Sequence, residues 1–167
     1  MKAETFFCLI LFTMKYSKYP VVVSPDHHMY LFFSEGPKGK IAKGVIYSQI
    51  GDDLYNLGFG DWNQELLQLN DSIRSNNGDR DKILATVAYT AQDFTNRLPK
   101  ARLFIEGSTV ARTRLYQMGI AINLLEINKV FIVEGHLGGK WGYFQPGRNY
   151  EALLIERKKS SKFGLWE

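Results

Sequence analysis

The stretch Ala101-Arg-Leu-Phe-Ile-Glu-Gly-Ser-Thr-Val-Ala-Arg-Thr-Arg-Leu-Tyr-Gln-Met-Gly119 decides the fold that we expect for this chain. Its first residues, Ala101 to Glu106, are mostly apolar and predict a β-strand that breaks at Gly107. The hydroxyl residues that follow begin a helical pattern from Ser108 to about Leu125. A strand that passes directly into a helix brings unpaired N–H groups and a positive helix end to one point. The junction therefore predicts an anion site.

Four side chains beside the junction are candidate ligands for that anion. Ser108 and Thr109 supply hydroxyl groups, and Arg112 and Arg114 supply guanidinium groups that bind phosphate or carboxylate in a bidentate manner. Tyr116 follows Arg112 by four residues and lies on the same helical face. We therefore expect a small anionic ligand, such as a phosphate group, beside these residues.

A purely structural interpretation of the same residues is also open, since capping serines are commoner than anion sites. In this interpretation Ser108 is only the N-cap of the helix. The two arginines are then solvated or paired with Glu106 and Glu134, and the tyrosine belongs to the core. The sequence leaves both interpretations open.

A second helix is predicted from about Asp79 to Arg97, and Pro99 ends it. It opens in the glycine-containing turn Asn76-Asn-Gly-Asp-Arg-Asp81. Asp79 and Asp81 complement the positive end of this helix and would repel a phosphate. The turn is therefore interpreted as a helix cap rather than as a ligand site.

The apolar residues of both helices recur at spacings of three and four, which predicts one buried face on each helix. The buried face of the helix from Asp79 is expected to carry Leu84, Val87, Ala91, Phe94 and Leu98. The buried face of the helix from Ser108 is expected to carry Ala111, Leu115, Met118, Ile122 and Leu125.

The remaining pattern predicts strands on both sides of the helices. Three strand-like runs separated by turn formers predict an antiparallel meander over Met29 to Ser34, Ile41 to Ser48 and Leu54 to Gly60. Two closing strands are expected at Trp141 to Phe144 and Tyr150 to Arg157. A strand from Lys129 to Gly135 should form a right-handed parallel crossover with the strand before Gly107. The fold class is α+β, with a mixed, mostly antiparallel sheet and two main helices.

The composition places the chain among single globular domains. Its 167 residues are 45% hydrophobic and 14% aromatic, which supports one well-buried core. We expect this domain to span residues 14–158. Residues 1–13 include the apolar run Phe6 to Phe12 and are interpreted as a leader or as a start assigned too early. Residues 159–167 are interpreted as a flexible basic tail.

Charge and motifs exclude several classes of function. A net charge of +4 from 21 basic and 17 acidic residues does not single out nucleic acid as a partner. The single cysteine, Cys8, forms no intramolecular disulfide, and the three histidines lack the spacing of a metal site. No nucleophile elbow, phosphate-binding loop or dinucleotide fingerprint is present. We expect a cytoplasmic, metal-independent protein without a membrane span.

Two weaker functional signals remain. His136 follows Glu134 on a strand and would suit an acid or base with a carboxylate neighbour, although an exposed histidine is the commoner outcome. A set of aromatic and basic residues would suit stacking of nucleic-acid bases, although such residues on alternating strands more often form core and rim. The set comprises Trp62, Trp141, Tyr143, Phe144, Arg148, Tyr150, Arg157, Lys158 and Lys159.

The two helix openings carry a resemblance to a known family. Asn76-Asn-Gly-Asp-Arg-Asp-Lys-Ile-Leu-Ala-Thr-Val-Ala88, followed by Phe104-Ile-Glu-Gly-Ser-Thr-Val-Ala-Arg-Thr-Arg-Leu-Tyr116, resembles a widespread bacterial domain family of unknown function. The segment Tyr55-Asn-Leu-Gly-Phe-Gly-Asp61 is similar in style. The likeness covers nearly everything from Lys15 to Lys158 and implies membership without implying an activity.

A more distant resemblance is to the acyl-CoA-dependent N-acetyltransferase superfamily, in which three antiparallel strands precede a helix, a strand, a helix and closing strands. The segment from Ala111 to Tyr116, with Met118-Gly-Ile120 after it, is similar to the superfamily's helix beside the cofactor. The resemblance implies acyl-CoA as cofactor and Tyr116 as general acid. That superfamily holds the cofactor pyrophosphate at the start of the other helix, where Asp79 and Asp81 of this chain disfavour acyl-CoA.

Two hypotheses of function follow. In the first, an acetyltransferase-like domain binds a phosphate-bearing anion near Ser108, Thr109, Arg112 and Arg114, and whether it is an enzyme stays open. In the second, a non-catalytic module of a bacterial defence or toxin–antitoxin system contacts nucleic acid or a protein through residues 141–148 and the basic tail. Binding to nucleic acid would weaken steeply with salt.

Overall fold

The computed structural model describes residues 17–70 and 75–159 of the chain. The predictions for residues 1–13 and 160–167 lie outside the described residues. Twelve elements follow one another along the chain: β1 (Val22–Val23), β2 (Met29–Gly36), β3 (Gly39–Gly51), β4 (Leu54–Asn63), β5 (Gln68–Asn70), α1 (Arg80–Arg97), β6 (Arg102–Ile105), α2 (Val110–Ile122), α3 (Leu124–Val130), β7 (Phe131–Leu137), β8 (Lys140–Tyr143) and β9 (Ala152–Arg157).

The nine strands of the described residues form one mixed sheet. Their order is β1-β2-β3-β4-β6-β9-β7-β8, and β5 also pairs with β4. β2, β3 and β4 form the predicted antiparallel meander. β4 and β6 pair in parallel, whereas the other paired strands are antiparallel. The predicted α+β class with a mostly antiparallel sheet is confirmed.

The connection from β6 to β7 joins two parallel strands, as predicted, but another strand lies between them. Both strands run antiparallel to β9, which lies between them, so they are parallel to each other without being neighbours. The run Ala152-Leu-Leu-Ile155 is apolar on both faces of its strand. Such a strand is more stable inside a sheet than at its edge, which explains the insertion.

Helix α1 begins at the predicted position and buries most of the predicted face. Val87, Ala91 and Phe94 are buried. The ring of Phe94 stacks on Tyr47 of β3 with 4.1 Å between the ring centroids, which anchors the helix on the sheet. Leu98, which was expected on the same face, lies past the last helical residue and is largely exposed.

The predicted helix from Ser108 to Leu125 is divided into α2 and α3 at Asn123, so three helices replace the expected two. The Nδ2 group of Asn123 donates to the carbonyl of Gly119 at 2.9 Å, which turns this side chain back on its own helix. Because α3 continues to Val130, the next strand begins at Phe131 rather than at Lys129.

The predicted buried face of α2 is wrong. Met118 is 46%, Ile122 43% and Leu125 85% exposed, and Ala111 is exposed as well. α2 instead buries Thr113, Tyr116, Gln117 and Ile120. The polar members of this face have partners: Gln117 Nε2 donates to the carbonyl of Tyr150 at 2.7 Å, and Thr113 Oγ1 accepts from the amide of Gly107 at 3.0 Å. Satisfied polar groups can be buried, so apolar periodicity alone did not fix the face.

The core lies between α1, α2 and α3 and one face of the sheet. Leu57, Ile105 and Ile155 of three neighbouring strands surround a small apolar cavity together with Leu84 of α1 and Ile120 of α2. Both long helices therefore cover the same face. None of the described helices is long and apolar enough to cross a membrane.

Candidate functional site

A gap in strand pairing lies beside β4. On one edge β4 pairs with β3. On its other edge it pairs with β6 from Leu54 to Asn56 and with β5 from Asp61 to Asn63. Among the described residues, 57–60 have neither strand as a neighbour on this edge.

A cavity of about 290 Å³ occupies this gap, and we call it the edge cavity. Asn56, Gly58 and Phe59 of β4 form one wall, and Leu69 of β5 closes one end. The junction between β6 and α2 forms the other wall with Glu106, Gly107 and Ser108. The strand–glycine–helix junction at Gly107, which the sequence predicted as an anion site, therefore lines a cavity.

A larger cavity of about 440 Å³, which we call the helix cavity, lies between the start of α1 and α2. It shares Phe59, Arg112 and Tyr116 with the edge cavity, so we treat the two as one cleft. The cleft falls within the size range of small-ligand and cofactor sites. The remaining polar groups of the helix cavity come from β3, β4 and the start of α1: Lys43, Asp61, Ser75, Asn76, Asn77, Asp79 and Arg80.

Tyr116 lies where the cavities meet. It is 9% exposed and packs in the hydrophobic core, as the structural interpretation expected, and it also lines the edge, helix and small apolar cavities. Core packing fixes the ring, and a fixed ring is what a reacting group needs. The two interpretations of this residue are therefore compatible.

The structure brings together some of the other predicted ligands and separates the rest. Ser108 lines the edge cavity, and Arg112 lines both cavities of the cleft. Thr109, not Ser108, is the N-cap of α2, and its Oγ1 accepts from the amide of Arg112 at 3.3 Å. Arg114 is exposed and lines neither cavity. The junction is thus a capped helix whose arginine and serine reach the cleft.

Close packing at Gly107 fixes the turn from β6 into α2. A Cβ atom on Gly107 would lie 2.5 Å from both the Cβ of Arg112 and the amide nitrogen of Thr113. Real Cβ contacts are not this short, so only glycine lets the strand end pass so close to the first helical turn. This contact holds Arg112 beside the cavities.

The start of α1 differs from the predicted cap. Asp79 is the N-cap residue, but its side chain makes no capping hydrogen bond. Its Oδ2 accepts instead from Ser34 Oγ at 2.6 Å and from Tyr19 Oη at 2.7 Å. Its Oδ1 is buried without a hydrogen-bond partner among the described residues. Asp81 lies 3.5 Å from the Nε of Arg80.

The contacts of Asp79 join three parts of the chain. Burial raises the pKa of the Tyr19 hydroxyl, and the hydrogen bond to Asp79 raises it further. Asn77, which is buried, donates from Nδ2 to Ser34 Oγ at 3.1 Å and accepts at Oδ1 from the amide of Lys38 at 2.9 Å. These bonds hold the start of α1 against β2 and the β2–β3 turn.

The comparison with family models assigns the chain to a known family. Residues 15–158 match a family of unknown function (DUF6934). The chain belongs to this family. No curated protein and no solved structure matches the chain. The predicted membership is confirmed, and the cleft of this DUF6934 domain has to be interpreted from its own residues.

Five charged residues of the described cleft lining were not predicted as site residues: Lys43, Asp61, Asp79, Arg80 and Glu106. Lys43 is buried on β3 and donates to Asp61 Oδ1 and Ser75 Oγ at the wall of the helix cavity. Glu106 lines the edge cavity. The period of two along β3 was the available signal, because it places Lys43 on the same face as the apolar Val45 and Tyr47.

His136 has a carboxylate neighbour that the sequence did not single out. Its Nδ1 lies 2.8 Å from Glu151 Oε2, and Glu134 lies two residues before it on the same face of β7. The ring of Trp141 lies 5.1 Å from His136, on the sheet face opposite the helices. Among the described residues, no group of three or more His, Cys, Asp or Glu side chains could hold a metal ion.

The predicted aromatic and basic set does not form one surface. Phe144 and Tyr150 are buried in the core, whereas Trp141 and Tyr143 are exposed on β8. Arg157 donates to Thr95 Oγ1 at 3.1 Å and so supports the end of α1. The set therefore divides into core and rim, as the structural interpretation expected.

Proposed function

We propose that this domain binds a phosphate-bearing acyl cofactor of the coenzyme A type in the cleft and acts as an acetyltransferase-like domain. The observation that carries the proposal is the cleft itself, in which Phe59, Arg112 and Tyr116 line both the edge cavity and the helix cavity. A long ligand with a charged end and an acyl end fits this cleft. The larger helix cavity is lined by charged residues, and the smaller edge cavity lies beside β4.

The charges of the helix cavity fit such a ligand. Among the described residues, its lining carries three cations, Lys43, Arg80 and Arg112, and two carboxylates, Asp61 and Asp79. Asp79 disfavoured a phosphate on sequence grounds, and it remains one of the negative charges, because the hydrogen bonds that its Oδ2 accepts from Ser34 and Tyr19 stabilise a charged carboxylate. The excess of one positive charge favours an anionic group there.

The edge cavity fits the extended part of the ligand. Amide groups in an extended chain pair with an open strand edge in the manner of an added strand. Among the described residues, 57–60 of β4 pair with neither β5 nor β6 on this edge, and Gly58 and Phe59 line the edge cavity. We therefore assign the amide-bearing part of the cofactor to β4.

The reacting groups are assigned to the junction of the two cavities. The cofactor supplies an acyl group activated as a thioester. An amine of the second substrate would attack the thioester carbonyl and displace the thiolate. Glu106, which lines the edge cavity, would accept the proton lost by the amine, and the Tyr116 hydroxyl would donate a proton to the departing thiolate. The element order also supports the proposal, because it contains the order of the acetyltransferase resemblance: the antiparallel strands β2, β3 and β4 precede α1, β6, α2 and the closing strands, with β1, β5 and α3 in addition.

Isothermal titration calorimetry with acetyl-CoA tests the proposed function. We expect saturable binding at one site per chain, weakened by added salt because phosphate groups contribute charge. Acetate serves as the control ligand, since it lacks the phosphates and the extended chain. Absence of heat at millimolar acetyl-CoA would remove the proposal.

A further inference from the structure

We propose that the ammonium group of Lys43 binds a phosphate group of the ligand in the helix cavity. Asp61 and Ser75 hold this ammonium group in place. The inference rests on the proposed function in one respect, since both assign phosphate to this cavity. It goes further by naming a strand residue, outside both helix openings, as the group that contacts the phosphate.

The burial of Lys43 points to a ligand. Its side chain is 5% exposed, and that of Asp61 is 18% exposed. Buried ion pairs are expensive to desolvate, and apolar replacements of similar volume are often neutral or stabilising. The same face of β3 already carries the buried Val45 and Tyr47, so an apolar side chain would fit position 43. Stability therefore does not explain a lysine there.

The hydrogen bonds of Lys43 leave capacity for a ligand. An ammonium group has three N–H donors and no acceptor. Among the described residues, Lys43 donates to Asp61 Oδ1 and to Ser75 Oγ. All three residues line the helix cavity, so the Lys43 ammonium lies beside a ligand-sized space. A phosphate oxygen is the acceptor that best matches a buried ammonium.

Two arginines complete the charge of the cavity. Arg80 at the start of α1 and Arg112 of α2 line the same cavity as Lys43. Cations thus reach one space from a strand and from two helices, and the described lining holds one carboxylate fewer, with Asp61 and Asp79. Asp61 acts as a positioning residue, because it orients the ammonium without itself contacting an anion.

The test uses inorganic pyrophosphate and a double variant, Lys43→Met with Asp61→Asn. This pair of substitutions removes one positive and one negative charge, so the net charge of the cavity does not change. A loss of affinity for pyrophosphate then reports the contact made by Lys43 rather than a change in the electrostatic potential of the cavity. The single variant Arg114→Ala is the matched control, since it removes a cation that lines neither cavity.

We expect the double variant to bind pyrophosphate about tenfold or more weakly than the wild type, as for the loss of one charge-assisted hydrogen bond. Arg114→Ala should stay within about twofold. Equal affinity of wild type and double variant, or no binding by the wild type, would overturn the inference. Binding of pyrophosphate through Lys43 without any binding of acetyl-CoA would leave the inference standing and remove the proposed function.

A second measurement tests the inference on the wild-type protein, in case the double variant does not fold. The ¹⁵N signal of the Lys43 ammonium is followed in the wild-type protein while pyrophosphate is added, and Lys140, an exposed residue of β8, provides the reference signal. We expect the Lys43 signal to shift with saturation and the Lys140 signal to stay in place. An unchanged Lys43 signal at saturating pyrophosphate would overturn the inference.

Discussion

Arg112 and Arg114 lie two residues apart on α2, yet Arg112 lines both cavities of the cleft and Arg114 lines neither. The two residues have the same charge and the same helix, so they form a matched pair. We expect Arg112→Ala to lower the affinity for acetyl-CoA about tenfold, as for the loss of one charged hydrogen bond, and Arg114→Ala to leave it within about twofold. Calorimetry measures both. Equal losses of affinity in the two variants would show that the arginines act only through the overall electrostatic potential of the protein.

Tyr116→Phe separates binding from chemistry. The variant keeps the buried ring and removes the hydroxyl, so we expect acetyl-CoA to bind within about twofold of wild type. Thiol release in the presence of a panel of amines should fall by about a hundredfold, the usual scale for loss of a proton donor. Unchanged thiol release would exclude Tyr116 as the donor, and a thermal melt checks that the fold persists.

Gly107→Ala tests the packing that holds Arg112 in place. The added Cβ would lie 2.5 Å from the Cβ of Arg112, so the first turn of α2 has to move. We expect the free energy of unfolding to fall by about 1–3 kcal/mol, the range for overpacking. Gly142→Ala on β8 is the control, because nothing lies within 4 Å of a Cβ there. Urea unfolding of both variants measures the difference, and equal stabilities would contradict the described turn.

A pair of variants tests which face of the segment formed by α2 and α3 is buried. Leu125, at the start of α3, is exposed, so Leu125→Lys should change the free energy of unfolding by less than about 0.5 kcal/mol. Ile120 is buried, so Ile120→Ala should lower it by about 2–5 kcal/mol. The helical periodicity of the sequence predicts the reverse order. Urea unfolding of the two variants therefore decides which face of this segment is buried.

The sequence predicted the local elements of this fold better than their partners. Turn formers after Ser34 and before Leu54 delimit the meander, and these signals are local. The position of β9 between β6 and β7 depends on pairing between residues distant in sequence, which periodicity does not encode. The buried face of α2 was missed for a related reason, since Gln117 is buried through a hydrogen bond to the distant Tyr150.

The candidate site shows the same division. Arg112 and Tyr116 were predicted because a strand–glycine–helix junction has a local sequence signal, and both line the cleft. Thr109 was predicted as a ligand and is used as the helix cap. Lys43 was missed, because a lysine within a strand is ordinarily a solvated rim residue. Only the packing of α1 and α2 on the sheet makes it part of a cavity.

The location of acetyl-CoA on the protein tests the central claim most directly. Backbone amide signals of ¹⁵N-labelled protein are recorded while acetyl-CoA is added. We predict saturable shifts for Gly58, Gly60, Gly107 and Tyr116, which line the cleft, and a constant signal for Tyr143 on the opposite sheet face. Shifts confined to the face that carries Tyr143, with the cleft signals unchanged, would contradict the account.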